Sequence, residues 1–151
     1  MRALFDTGSS DCWILSHELA SKNFHVFHNY FNTKSSHTLK WTNETIPMDF
    51  ATGSLVGQYV SDDIRIGLHS DMDEDSPESI HIRDFKFGLI IEEKGIFDNF
   101  HIDAIIGMAF SGFSVNPKVP TIVDAMIAQK LLKNDIFAYY FVMEEDTKHG
   151  L

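Results

Sequence analysis

The sequence predicts an all-β protein with little helix, and three observations carry that expectation. Short apolar runs alternate with turn residues over most of the chain. Aromatic residues make up 13% of the 151 positions, 13 of them Phe, and such side chains suit pleated, half-buried surfaces. Helical spacing is confined to the last third. With 44% apolar residues a chain of this length buries one core, so a single domain over 1–151 is expected.

Taken in order, Ala3-Leu4-Phe5 reads as a buried strand that breaks at Asp6-Thr7-Gly8-Ser9-Ser10 and resumes through Cys12-Trp13-Ile14-Leu15. His17 to Lys22 has room for one helical turn, and Asn32 to Ser36 is a polar turn. Thr45 to Phe50 and Leu55 to Ile66 form a long hairpin. Its second strand alternates through Val56, Tyr59 and Val60, then Ile64 and Ile66, with Ser61-Asp62-Asp63 interrupting it. Ile80 to Ile91 gives a further pair of strands turning near Asp84 and Gly88, and Ile102 to Ile106 a short buried strand. From Val119 to Leu132, apolar Val119, Ile122, Val123, Met126, Ile127 and Leu131 fall at helical spacing, with Pro120 suited to the first turn. Ile136 to Met143 returns as a strand, and no internal repeat occurs.

The richest chemistry lies at Asp6. Gly8 lets the turn adopt backbone angles closed to other residues, and the hydroxyls of Thr7 and Ser9 can donate to a carboxylate. Such donors favour the charged form, and a charged carboxylate can take a proton from water. This stretch resembles the active-site loop of the pepsin-like aspartic peptidases, an apolar pair, Asp-Thr-Gly-Ser-Ser and then a tryptophan. Three more segments match in order. Phe50-Ala51-Thr52-Gly53-Ser54 followed by Gly57 resembles the flap that closes over substrate, and His101 to Met108 resembles the apolar-apolar-Gly segment beside the catalytic loop. Ser114 to Val142 is similar to the helix and strand that end the first lobe.

The resemblance implies a pepsin-like acid protease lobe, a double-psi β-barrel-like sandwich with short helices. The chain is expected to be most of the N-terminal lobe, incomplete at both ends, with the C-terminal lobe absent. Met1-Arg2 leads straight into the catalytic strand, and no second Asp-Thr-Gly or Asp-Ser-Gly follows Asp6. The implied activity is peptide-bond hydrolysis by an aspartate-activated water without a covalent intermediate. Asp6 is the implied catalytic residue and Thr7, Gly8 and Ser9 its loop. Leu4, Trp13, Phe97, Ile102 and Ile105 would line the substrate cleft, with Phe50, Ala51, Thr52 and Gly53 on the flap side. The implied partners are a polypeptide substrate and the missing lobe that supplies the second aspartate, with no cofactor and no metal. An extracellular, lysosomal or vacuolar setting is favoured.

Other features narrow the field. A net charge of −10 disfavours nucleic-acid backbones and anionic membranes as partners, and no apolar run approaches the ~20 residues of a spanning helix. The single Cys12 has no internal disulfide partner and reads as a small buried apolar residue. The acidic run Asp71 to Glu78 has Ser76 and Ile82 where a calcium loop needs Gly and Glu, so it reads as a solvated loop. The eight histidines lack zinc-site spacing. Asn43-Glu44-Thr45 is a candidate N-glycosylation sequon.

Two alternatives stand beside the protease reading. Phe50-Ala51 replaces the family's usual Tyr-Gly in the flap, which suits a catalytically dead pepsin-like protein that binds peptides or partners. A self-dimer of the retroviral-protease kind, one Asp6 per copy, is the other; analytical ultracentrifugation returning only monomer removes it.

Overall fold

The computed structural model describes residues 1–20, 28–50, 53–67, 79–94 and 101–139. It is mostly β-sheet with a few short helices. The strands are β1 (Ala3–Asp6), β2 (Cys12–Leu15), β3 (Lys40–Phe50), β4 (Gly53–Ile66), β5 (Ile80–Lys94) and β6 (Ala104–Gly107). The helices are α1 (His17–Ala20) and α2 (Ile122–Ala128), with 3-10 turns at Thr33–Ser35 and Ser111–Phe113. Among the described residues all strands join one six-stranded sheet in the order β1-β6-β2-β5-β4-β3. β1 runs parallel to β6 and β2 parallel to β5, whereas β2 and β6 are antiparallel and β3, β4 and β5 form an antiparallel meander.

Alternation along the strands divides the interior into two clusters. On β2, Trp13 and Leu15 join Leu19 of α1, Ile46, Leu55, Tyr59, Ile90 and Val119, while Cys12 and Ile14 meet the other cluster, built on Phe85, Phe87, Leu89 and the inner face of α2. Leu15, Leu89 and Ile90 are fully buried, each burial being worth about 1.5–3 kcal/mol. Gly88 sits between Trp13 and Tyr59 in the ladders. A Cβ there would lie 3.1 Å from Ile46 Cδ1 and 3.4 Å from Trp13 Cβ, so its bareness lets Ile46 reach across the sheet.

Several expected elements differ. Ile80 to Ile91 is not a pair of strands but part of the single strand β5: Asp84 takes φ 48° beside a register shift rather than turning the chain, and Gly88 stays in the ladder. Ser61-Asp62-Asp63 does not interrupt β4, which absorbs the acidic residues through the shift between Asp62 and Ile64. The hairpin is longer than expected, beginning at Lys40. Ile102 and Asp103 precede β6. The first helix ends its described span at Ala20.

The second helix is shorter than the spacing suggests. Thr121 is its N-cap, in a capping box with Asp124 (Asp124 N to Thr121 Oγ1 3.1 Å; Thr121 N to Asp124 Oδ2 3.2 Å). Pro120 therefore precedes the helix, and Lys130 at φ 57° ends it. Ile136 to Tyr139 form no strand, and Tyr140 to Met143 lie outside the described residues. β1 is not buried: it sits at the sheet edge, paired with β6 alone among the described strands, so Leu4 is 46% and Phe5 37% exposed.

Candidate active site

Asp6 is the last residue of β1, opposite Gly107 of β6. The chain turns at once and folds back on its own carboxylate. Gly8 N donates to Oδ1 at 2.9 Å and Ser9 Oγ to Oδ2 at 2.5 Å. Both carboxylate oxygens are thus oriented by neighbours within three residues, which makes the geometry local. Asp6 and Ser9 are half-buried, and Thr7 and Gly8 are exposed.

The loop is laced to the strand behind it. Met108 N donates to Asp6 O at 2.8 Å, Ala109 N to Ser9 O at 2.9 Å and Gly107 N to Asp11 O at 3.2 Å. Ser10 Oγ donates to Phe110 O at 2.6 Å. The Asp11 carboxylate accepts from Ser114 Oγ at 2.6 Å and Val115 N at 3.0 Å, fixing the chain beyond the second 3-10 turn. Gly107 permits this approach, because a Cβ there would lie 2.4 Å from Ser10 C and 2.6 Å from Asp11 N. Those are backbone atoms that cannot swing aside.

The other end of the β1–β6 pair is held by a second aspartate, which the sequence reading did not single out. Asp103, 0% exposed, accepts at Oδ2 from Arg2 N (2.7 Å) and Asn29 Nδ2 (3.0 Å), and at Oδ1 from Asn29 N (2.9 Å) and Arg2 Nη2 (3.2 Å). His28 Nδ1 is 3.5 Å from Oδ1. Burial pushes this carboxyl up, but the hydrogen bonds from Arg2 and Asn29 outweigh it and hold it at about 2. The available signal was an aspartate inside the apolar run Ile102 to Ile106. Two aspartates therefore pin the strand pair, Asp103 where it begins and Asp6 where it ends.

Leu4, Ile105 and Trp13 form one row across β1, β6 and β2. Trp13, 2% exposed, lies within the core, and half-buried Ile102 and Ile105 pack on its cluster. Phe50 and Gly53 face each other at the end of the β3–β4 hairpin. Ala51, Thr52, Phe97 and the acidic run 71–78 lie outside the described residues, as does the side chain of Phe50. Asn43 is exposed on β3. Cys12 is half-buried, and burial pushes its thiol up to about 12. Beside the Asp6 turn, Thr7, Phe110, Phe113, Ile127, Ile136 and Phe137 border a cavity of about 570 Å³. Phe110 at 86%, Phe113 at 75% and Ile136 at 75% exposure make it an open apolar rim that the sequence reading did not anticipate.

Fold and site together define a β-protein that presents one hydrogen-bonded carboxylate from a glycine turn at a strand end, backed by a second glycine-terminated strand. The sequence profile described as "Eukaryotic aspartyl protease" matches residues 1–150, and the chain belongs to that family. It is similar to pepsin-3 of Oryctolagus cuniculus, 30% identical over 145 residues that cover 95% of this chain and 34% of the relative. Pepsin A of Bos taurus is 31% identical over 145 residues, 95% of this chain and 36% of the relative. Human cathepsin D is 30% identical over 150 residues, 97% and 36% respectively. The chain spans about a third of the length of these curated relatives.

Proposed function

We propose that this chain is most of the N-terminal lobe of a two-lobed aspartic endopeptidase, and that Asp6 is one of its two catalytic aspartates. The observation that carries this is the Asp6 carboxylate itself, oriented at both oxygens by Gly8 N and Ser9 Oγ while Asp6 stays only half-buried. A C-terminal lobe supplies the second aspartate. Two close carboxylates share one proton, because both cannot ionise easily. The charged one takes a proton from a water held between them while the protonated one polarises the scissile carbonyl; the roles then reverse as the amine leaves. Thr7 faces the other lobe. Leu4, Ile102, Ile105 and Phe97 form the apolar wall for substrate, with Trp13 behind it, and the flap residues Phe50 to Gly53 close over it.

The apolar rim beside Thr7 supports the two-lobed reading, since an exposed patch of this kind suits a covered interface. The 151-residue chain alone is expected to be inactive. The test compares cleavage of a denatured protein at acidic pH by this chain, by the full-length gene product and by its Asp6→Asn variant. Only the unaltered full-length product should cleave. Cleavage by the chain alone that Asp6→Asn abolishes would overturn the inactivity, and an active full-length Asp6→Asn variant would overturn the role of Asp6. Phe50-Ala51 in place of Tyr-Gly favours one second reading, a catalytically dead relative that binds peptides. Peptide binding without cleavage by the full-length product would establish it.

A further inference from the structure

We propose that the depression beside Tyr59 is a docking site for a basic side chain, Lys or Arg, of a partner polypeptide. One wall comes from an irregularity in the sheet. Trp41 pairs with Val60 and Thr45 with Gln58, so the three residues from Thr42 to Glu44 face Tyr59 in a bulge. Thr42 Oγ1 donates to Tyr59 O at 2.6 Å and accepts from Glu44 N at 3.3 Å, and the Glu44 carboxylate reaches Lys86 of β5, whose Nζ lies 3.0 Å from Oε2. The opposite wall is held by Asp11, whose carboxylate accepts from Ser114 Oγ at 2.6 Å and Val115 N at 3.0 Å. Between them lies a volume of about 490 Å³ bordered by Glu44, Ile46, Tyr59, Val115 and Asn116.

Tyr59 marks this depression as a site. The residue is 5% exposed, yet its hydroxyl has no hydrogen-bond partner among the described residues, an uncommon state for a buried polar group. Tyr59 also borders a pocket of about 10 Å³, room for one water, which it shares with Ser10, Asp11 and Lys86. A ligand that brings a polar group to the phenol would complete it.

Charge selects the ligand. Of the groups bordering the two spaces, Glu44 and Asp11 are acidic and Lys86 alone is basic. Lys86 is already engaged by Glu44 and by the face of the Tyr59 ring, 4.9 Å from its centroid, so the Asp11 charge is left over. Burial, and then the charges of Asp11 and Glu44, push the Tyr59 phenol up to about 12, so it keeps its proton. The field that opposes a phenolate favours a cation. Ile46 and Val115 offer apolar surface to the methylene stem of Lys or Arg, while the head reaches the remaining lone pairs of Glu44 and the Tyr59 oxygen. A net charge of −10 draws such a partner from a distance. The site does not depend on whether Asp6 is catalytic.

The test uses the full-length gene product carrying Asp6→Asn, so that binding is read apart from cleavage. Fluorescence anisotropy follows its titration against labelled oligo-arginine, oligo-glutamate and glycine-serine peptides, and oligo-arginine should bind tightest. Tyr59→Phe keeps the ring and its contact with Lys86 and removes only the hydroxyl; it should weaken oligo-arginine binding about fivefold, the equivalent of one hydrogen bond. Glu44→Gln should weaken it about tenfold, as a charge-assisted bond is lost. Asp84→Asn, which removes a similarly exposed carboxylate elsewhere on the sheet, should change it little. Parental affinity in Tyr59→Phe, a loss matched by Asp84→Asn, or a preference for the acidic or the neutral peptide overturns the site.

Discussion

Replacing Asp103 by Asn is the sharpest test of how this lobe is held together. The carboxylate accepts four hydrogen bonds, and each oxygen takes one backbone N–H, Arg2 N on Oδ2 and Asn29 N on Oδ1. An amide has one oxygen and one NH2, so whichever way it turns, one buried backbone N–H faces another donor. An unsatisfied donor here costs about 1–3 kcal/mol, and because Arg2 is 47% exposed the loss of the charge opposite it adds only about 0–1 kcal/mol. The effect depends on pH with a definite sign. The folded carboxyl is held at about 2, below its unfolded value of 3.8, so its contribution is complete above the higher value and is lost as pH falls through the lower. That separation corresponds to about 2 kcal/mol. Arg2 and His28, whose Nδ1 lies 3.5 Å from Oδ1, are the other ionisable groups that face this carboxylate. Urea unfolding of the chain and of Asp103→Asn, near neutral pH and again near pH 2, measures both quantities. The gap should be about 3 kcal/mol near neutrality and about 2 kcal/mol smaller in acid. A neutral gap below about 1 kcal/mol, or one unchanged in acid, refutes the reasoning.

Three further outcomes follow from the same geometry. Gly107→Ala should destabilise the chain by about 3 kcal/mol or more, since its Cβ would lie 2.4 Å from Ser10 C, beyond ordinary overpacking; a thermal melt within error of the parent would refute the close-approach argument. Ser9→Ala removes the 2.5 Å donor to Asp6 Oδ2 and should lower kcat of the proposed full-length peptidase by about tenfold, the equivalent of one charge-assisted hydrogen bond, with KM little changed; an unaltered kcat refutes it. Cys12, whose thiol burial pushes up to about 12, should react with a thiol reagent at mildly alkaline pH only after unfolding; rapid native labelling would show an exposed thiolate.

What could be read from the sequence was what is decided locally. The turn Asp6 to Ser10 carries its own donors within three residues of the carboxylate, so motif and geometry coincide. The Thr121–Asp124 box is equally local, yet helical spacing extended the helix past both caps because apolar residues also line the segments that flank it. Features set by distant neighbours escaped. Asp84 and Gly88 look like turn residues, but pairing with β4 along the whole of β5, and with β2 at Gly88, keeps the strand running through both. The role of Asp103 depends on Arg2, 101 positions away, and Asn29, 74 positions away. Leu4 and Phe5 are apolar enough for a core and are exposed because β1 pairs with β6 alone among the described strands.

The same separation of local from distant explains how the candidate site is assembled. The loop orients the Asp6 oxygens by itself, while where that oriented carboxylate stands is set by the loop's ties to the strand behind it. Its position comes from the β1–β6 pair, which rests on two features far from one another: the donors gathered on Asp103 at one end, and the missing side chain of Gly107 at the other. Damage to either should move an intact Asp6 turn as a unit rather than dismantle it. Loss of the Asp103 network should therefore lower stability while leaving the Gly8 and Ser9 hydrogen bonds in place, whereas Ser9→Ala should disturb the carboxylate while leaving the strand pair unmoved. Stability and carboxylate orientation are thereby separable in this lobe, because different residues set them.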